Sequence, residues 1–551
     1  MSLLSSAAGA TSTPLVDGTI GRYLSHVVEQ HRHREALVAC HQDYRATYGE
    51  MWELTDRIAR GLLARGVRRG DRVAVWSASR FEWVAVQYAT ARVGAILVCV
   101  NPMYQASELS YVLTHSEASV LLMSERFRDN DCAEILRSIR SQCQSLREVI
   151  VFETDWHDFL HDGTQVPPEA LAVAEQALCA DDPINIQYTS GTTGRPKGAV
   201  LTHRNILNNA RLVCGGIKFT EHDRVCVPVP LFHCFGMVLG SLGTHCYGAT
   251  LVLPEESFSA ASTMTAVERE RCTAIYGVPT MFISELEFQR SNDVVVSSLR
   301  TGLIGGAPCP PDLREKIRTH LHVTELSVVC GMTETSPIST QVLPDDPADK
   351  RDHSVGRPTP HVEVKIVDPG TDKVVPVGAV GEQCTRGYSV MAGYWNNTAA
   401  TDEVLDPDGW MHTGDLATMD EDGYVTLVGR MKEMIIRGGE NIYPREIEEL
   451  LRTHPHINDA YVIGVPDERL GEQVMAWVRL QEDSQETSSE DLAAFCAGKI
   501  TRSKIPAFWR FASTFPTTAS GKIQKYRLRE LAIEEQKMRT PVAPRTHSEA
   551  L

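Results

Sequence analysis

The sequence predicts an α/β fold: a large N-terminal domain of parallel-rich sheets flanked by helices, a β-rich subdomain after it, and a small C-terminal α+β domain. Three observations predict it. Helix-period apolar patterns alternate with short apolar runs up to about Arg351, the order that builds parallel sheets. Short strand-like runs with turn residues follow. Beyond Arg430, a Gly-Gly and a fresh amphipathic helix open a further region.

The elements justify this in order. "EMWELTDRIARGLLARGV" places apolar residues at helical spacing, stops at Gly66 and leads into the strand-like "RVAVWS". "WVAVQYATARVGAILVCVNP" and "AVERERCTAIYGVP" repeat helix-then-strand. "CFGMVLGSLGTHCYGATLVLP", Cys234 to Pro254, is the most apolar stretch, but His245 and its frequent glycines favour a buried helix and strand over a bilayer span. "VEVKIVDPGTDKVVPVGAVGEQCTRG" and "GYVTLVGR" form the β-rich part. In "GRMKEMIIRGGENIYPREIEELLRTHP", Pro444 suits a first helical turn, with Ile447, Leu450 and Leu451 on one face. The expected division is residues 1–431 and 432–551, with a ragged end after about Lys537.

At 551 residues and 42% hydrophobic content the chain can fill several cores. A formal net charge of -17 argues against nucleic acid or an anionic membrane as the main partner. Its 14 cysteines include no CxxC pair, which predicts free thiols in a reducing, cytoplasmic compartment. The N-terminus has no basic segment leading a long apolar one, so no signal peptide is expected. From Leu492 to Arg529 there are eight lysines and arginines and no acid, a candidate contact for a polyanion or a solvated face. Lys522 stands apart, at the tip of a Ser-Gly turn in "TTASGKIQK".

The stretch that most constrains chemistry is "YTSGTTGRPKG", Tyr188 to Gly198. "PINIQ" before it reads as a strand and "LTHRNILNNARLV" after it as a helix. A small-residue loop between them turns backbone N–H groups toward an anion, hydroxyls add donors, and Lys197 adds a charge. Phosphate is the natural ligand. It is not a Walker A loop, because Gly198 follows Lys197 where a hydroxyl should hold magnesium.

"YTSGTTGRPKG" resembles the signature of the adenylate-forming superfamily of acyl- and aryl-CoA synthetases, luciferases and peptide-synthetase adenylation domains. "PLFHCFGM", "GGAP", "GMTETSP", "GWMHTGDLA", "GRMKEMIIRGGENIYPREIE" and "TASGKIQK" match its later motifs in order. The similarity runs from about Val27 to Arg529, and the last motifs are most similar to those of medium-chain fatty-acyl-CoA synthetases. The resemblance implies an acid–CoA ligase. A carboxylic acid and ATP give acyl-AMP and pyrophosphate; CoA then gives the thioester and AMP, the small domain rotating between half-reactions.

It also implies roles. Thr189, Ser190, Gly191, Thr192, Thr193, Gly194 and Lys197 would hold the β- and γ-phosphates. Gly306, Ala307 and Pro308 would lie beside adenine, with Cys330, Gly331 and Met332. Thr333 would donate to the α-phosphate and Glu334 would bind Mg²⁺, a hard cation suited to carboxylate oxygen. Asp415 would accept from the ribose hydroxyls, supported by Arg430, although a structural salt bridge would also account for that pair. Lys522 would neutralise the repulsion between carboxylate and α-phosphate. Lys432 matches the hinge; Gly438 and Gly439 match the segment lining the thiol's path, or form a plain turn. His233, Tyr276 and Gly305 fall at the acyl pocket, where His233 is a gate or a packed histidine and Tyr276 a wall or plain core. Cys330 departs from the pattern: the family commonly has an aromatic there, worth about 1 kcal/mol of stacking.

An acyl-AMP ligase loading a carrier protein is the nearest alternative, with "GGEN" favouring CoA. An amino-acid-activating domain lacks its usual early aspartate in "VPVPLFHCFGM". A non-catalytic nucleotide-binding regulator would need neither Glu334 nor Lys522. The identity of the acid is not legible, and a homodimer is compatible with the sequence.

Overall fold

The computed structural model describes residues 3–189, 196–438, 440–467, 469–481, 484, 487–497, 499–518 and 522–539. The chain forms two compact units. The first runs to Thr413 and includes Thr418–Thr426; the second comprises Gly414–Ala417, Leu427–Thr518 and the helix-bearing segment from Lys522.

Two open sheets dominate the first unit. In the seven-stranded sheet the order is Gly393–Tyr394, Lys197–Thr202, Pro183–Thr189, Ile96–Val100, Arg72–Trp76, Val120–Met123, Glu148–Val151. All neighbours from Pro183–Thr189 onward are parallel. In the nine-stranded sheet, Glu325–Cys330, Thr301–Gly305, Ala274–Gly277, Arg224–Cys226, Thr250–Leu253 and Glu35–Ala39 are successive parallel neighbours, with short antiparallel strands at both edges. Strands buried on both faces read as continuous apolar runs, which is what "ILVCV" and "TLVL" are.

The helix Phe81–Val93 is buried from Glu82 to Val93, consistent with its lack of a polar face. Residues 234–254 behave as expected of a buried helix and strand: a wide π-type segment, Phe235–Leu242, runs into Gly243–His245, and Thr250–Leu253 is a central strand. No helix among the described residues is long and apolar enough to cross a membrane. The β-rich region is a five-stranded sheet ordered Ser6–Ala8, Val362–Val367, Gly381–Gly387, Met411–Met419, Val425–Arg430.

The second unit is a small sheet with helices on both faces. Gly471–Leu480 pairs antiparallel with Ile457–Asp467 and parallel with Phe508–Phe511. Alternation sorts its side chains. Val474, Ala476 and Val478 pack with Ile447 and Leu451 of helix Pro444–Arg452, whereas Met475 and Trp477 pack with Leu528 and Ala532 of helix Lys525–Arg539.

One local reading is corrected. Leu201 and Thr202 do not begin the helix after the glycine-rich loop. Lys197–Thr202 is a strand, antiparallel to Pro183–Thr189 with Thr189 opposite Lys197, and the helix starts at His203. The run "AVLT" carries β-branched residues that fit a sheet, and Thr202 caps the helix in a reciprocal box with Asn205. Thr189 and Lys197 therefore face each other across two antiparallel strands, and the next helix starts only at His203.

Candidate active site

In open α/β sheets ligands gather beyond the carboxyl ends of the strands, and the predicted residues of the first unit fall there. Thr301–Gly305 delivers the exposed Gly306, Ala307 and Pro308. Its parallel neighbour Glu325–Cys330 delivers Gly331, Met332, Thr333 and Glu334. Gly331 admits no side chain, since a Cβ there would lie 2.1 Å from the Pro337 carbonyl oxygen. Pro183–Thr189 ends at the phosphate-loop motif. The calls on Ser190, Gly191, Thr192, Thr193 and Gly194 lie outside the described residues, as does that on Gly439.

Glu334 is the centre of this group. Its buried carboxylate accepts from the Tyr394 hydroxyl at 2.9 Å and from Thr189 Oγ1 at 3.3 Å, both on Oε1. Among the described residues no hydrogen bond falls on Oε2. An anchored carboxylate with an uncommitted oxygen fits a hard divalent cation. Lys197 completes the cluster: its ammonium lies 5.0 Å from the centre of the Tyr394 ring and 3.7 Å from the exposed Glu403 carboxylate. Burial and the Glu334 charge both push the Tyr394 phenol up, so it stays a donor. Tyr394 escaped the sequence reading. It thus joins the loop lysine to the acid expected to bind metal.

Thr333 is buried, with its hydroxyl 3.5 Å from the Cys234 thiol, which ties the "MTE" turn to the "PLFHCFGM" segment. His233 is half-buried, and its Nδ1 accepts from the Phe235 amide at 3.3 Å. Tyr276 is fully buried, its ring stacked with Phe219 and Phe235 and its hydroxyl 3.4 Å from the Cys214 thiol. Gly305 packs against Val329, whose carbonyl oxygen would stand 2.7 Å from an added Cβ. Cys330 is half-buried at its strand end.

In the second unit, Asp415 and Arg430 form an ion pair, Nε to Oδ1, at 2.8 Å. Burial raises the Asp415 carboxyl, while the charges of Arg430 and Lys522 oppose the rise. The structure thus brings together three of the predicted residues. Lys522 and Thr518 exchange hydrogen bonds: the Thr518 amide donates to the Lys522 carbonyl at 2.7 Å, and the Lys522 amide donates to Thr518 Oγ1 at 3.1 Å. Lys432 is exposed on the short helical turn Met431–Glu433. Gly438 has φ +59 and donates its amide to the Leu470 carbonyl at 2.8 Å, so glycine suits this turn.

The basic stretch from Leu492 to Arg529 is largely neutralised. Lys504 pairs with Glu446, Arg510 with Glu535, Lys525 with Glu433 and Glu448, Arg527 with Glu530, and Arg529 with Glu472. Five of the eight bases are thus held in intramolecular ion pairs, some of them exposed, which favours the solvated face over a polyanion contact. Lys525 and the buried Glu448 form the deepest of them, and their attraction overcomes burial, raising the lysine and lowering the acid.

Comparison with known proteins decides what this constellation belongs to. The AMP-binding enzyme family profile matches residues 24–395, and that of the AMP-binding enzyme C-terminal domain matches residues 446–522. The chain belongs to the AMP-binding enzyme family. Within this family of adenylate-forming enzymes it is an ATP-dependent acyl-CoA ligase, using ATP, Mg²⁺ and CoA. It is 43% identical to the putative acyl-CoA synthetase YngI of Bacillus subtilis, over 94% of this chain and 98% of that protein. It is 40% identical to the mitochondrial medium-chain acyl-CoA ligase ACSF2 of Danio rerio, over 95% and 89%. Among solved structures, ATP-bound MatB of Rhodopseudomonas palustris superposes with a TM-score of 0.85 at 28% identity, covering 94% of this chain and 99% of that one. Anthranilate CoA ligase AuaEII with anthranoyl-AMP gives 0.84 at 25%, covering 95% and 99%.

Proposed function

We propose that this family member activates a medium-chain fatty acid or a bulky alicyclic or terpenoid acid, and that Glu334, held by Tyr394 and Thr189, organises the triphosphate. The observation that carries the assignment of the site is the buried Glu334 carboxylate beside the ends of both strands that bracket the phosphate loop. The name of the ACSF2 relative supports the medium-chain class.

A carboxylate oxygen attacks the α-phosphorus, forming a P–O bond as the bond to pyrophosphate breaks. Both reactants are anionic, so fixed positive charge and preorganised donors govern the rate. Glu334 would hold Mg²⁺, which would supply charge neutralisation on the triphosphate when bound. Lys197 and the Thr189 hydroxyl contact the β- and γ-phosphates, Thr333 donates to the α-phosphate, Asp415 accepts from the ribose hydroxyls, and Lys522 neutralises the meeting oxygens. In the second half-reaction the CoA sulfur adds to the acyl carbonyl and AMP leaves. Lys432 is the hinge about which the C-terminal domain, residues 432–551, reorients, and Gly438 leaves room for the pantetheine arm. His233 gates the acyl pocket. Cytoplasmic placement is part of the same reading, supported by 14 cysteines of which none forms a disulfide.

ATP–pyrophosphate exchange across a panel of straight-chain, aryl and alicyclic acids, followed by thioester formation with CoA on the same panel, tests the acid class. The expected result is a maximum at medium chain length or at a bulky alicyclic acid in both assays. A maximum at short dicarboxylic or aryl acids refutes it.

A further inference from the structure

Outside the nucleotide site, the β-rich sheet gathers a thiol, an imidazole and a carboxylate. Glu382 and Cys384 stand two apart on the strand Gly381–Gly387, hence on one face, and His412 projects from the strand Met411–Met419 beside them. One ligand atom from each lies within 4.8 Å of the others, and among the described residues no other group of three does so. His412 Nδ1 is 2.9 Å from Glu382 Oε2 and 3.5 Å from Cys384 Sγ. Bonds of about 2.0–2.3 Å to zinc put the edges of a tetrahedron at about 3.3–3.7 Å, so modest adjustment would admit an ion between them.

A second observation lies on the far side of the imidazole. His412 Nε2 faces Asp372 Oδ1 at 3.9 Å. A histidine that ligates through one nitrogen generally gives its other N–H to a carboxylate, which fixes the tautomer and the ring. Glu382 and Cys384 are buried, so the group is a built pocket rather than a chance surface cluster of acids.

We propose that Glu382, Cys384 and His412 form a binding site for a zinc-class transition metal, with Asp372 orienting His412. Mixed sulfur, nitrogen and oxygen donors select a borderline-soft ion such as Zn²⁺ or Co²⁺ over Mg²⁺, so the site does not compete for the nucleotide's cation. Three protein ligands leave a fourth position to solvent. The thiolate and the carboxylate together balance the charge of a divalent ion. Bound metal would tie two neighbouring strands together three residues before Asp415.

The test uses tag-free full-length protein and the metal alone. Co²⁺ titration followed by absorbance should give one equivalent bound, with a sulfur-to-cobalt charge-transfer band that Zn²⁺ abolishes. Cys384→Ser should remove the band, and His412→Gln should weaken binding at least 10-fold. Asp372→Asn, at an exposed position where folding is not at stake, should weaken it about 10–100-fold. Absence of a thiolate band in the wild-type protein overturns the proposal without any variant. So does a band that survives Cys384→Ser, or affinity unmoved by both His412→Gln and Asp372→Asn.

Discussion

Removing one hydroxyl tests the organisation of the nucleotide site. Tyr394→Phe deletes the 2.9 Å donor to Glu334 Oε1 and leaves that oxygen only the 3.3 Å bond from Thr189. The ring remains, so the face presented to Lys197 is unchanged. A hydrogen bond to a charged group contributes about 1.5–3 kcal/mol, and every 1.36 kcal/mol is tenfold. The variant should therefore lose about 10- to 150-fold in kcat/KM for ATP–pyrophosphate exchange. Because the hydroxyl acts through Glu334, the half-saturating Mg²⁺ concentration should rise, while the KM for the carboxylic acid should move little. Titrating Mg²⁺ at fixed ATP and acid separates the two. If Tyr394→Phe keeps wild-type Mg²⁺ dependence and rate, Glu334 is not the metal-binding acid that this arrangement implies.

Three further outcomes are expected. Lys522→Ala should slow adenylation by about 10²–10³-fold, comparable with loss of one oxyanion donor, while thioester formation from supplied acyl-adenylate is largely spared; equal loss in both half-reactions would falsify the assignment. Lys432→Pro should preserve pyrophosphate exchange and collapse thioester formation, and survival of both activities moves the hinge elsewhere. Glu285 is fully buried with neither carboxyl oxygen hydrogen-bonded among the described residues, and burial pushes it up to about 8 from an ordinary 4.5. Its raised value makes the folded state hold a proton that the unfolded chain releases, so stability is lost as pH rises from about 4.5 through 8. At 1.36 kcal/mol per pH unit the loss is about 3 kcal/mol by pH 7. Glu285→Gln should match wild type near pH 4.5 and exceed it increasingly up to pH 8 in urea unfolding; parallel profiles for the two proteins would remove the argument.

The fold was legible wherever one residue's neighbours along the chain decide its state. Helix-then-strand alternation in "WVAVQYATARVGAILVCV" needs only local periodicity and the stop at Gly94, which takes φ +74. The hairpin after the phosphate loop was misread for the same reason. "AVLT" is ambiguous between strand and helix until a partner strand is known, and that partner, Pro183–Thr189, lies across the glycine-rich loop. Likewise the basic run from Leu492 looked unneutralised because most of its partners are distant. Glu446 lies 58 residues before Lys504, and Glu472 lies 57 before Arg529.

The site divides along the same line. Motif residues such as Thr333, Glu334 and Asp415 are legible because each lies in a short run that resembles a family motif; for Thr333 and Glu334 the forbidden Cβ at Gly331 also constrains the turn at the strand end. Tyr394 has no such local signature. It sits on a two-residue edge strand 60 residues beyond Glu334, and only the antiparallel pairing of Gly393–Tyr394 with Lys197–Thr202 carries its hydroxyl to the carboxylate. The same strand places Lys197 against the Tyr394 ring, so under the proposed reading the positive charge at the phosphates comes from a side chain and not from a helix N-terminus. A cation on a side chain can respond to the triphosphate's arrival, whereas a helix end cannot. The anchored part of the site is then the acid, and the adjustable part is the base.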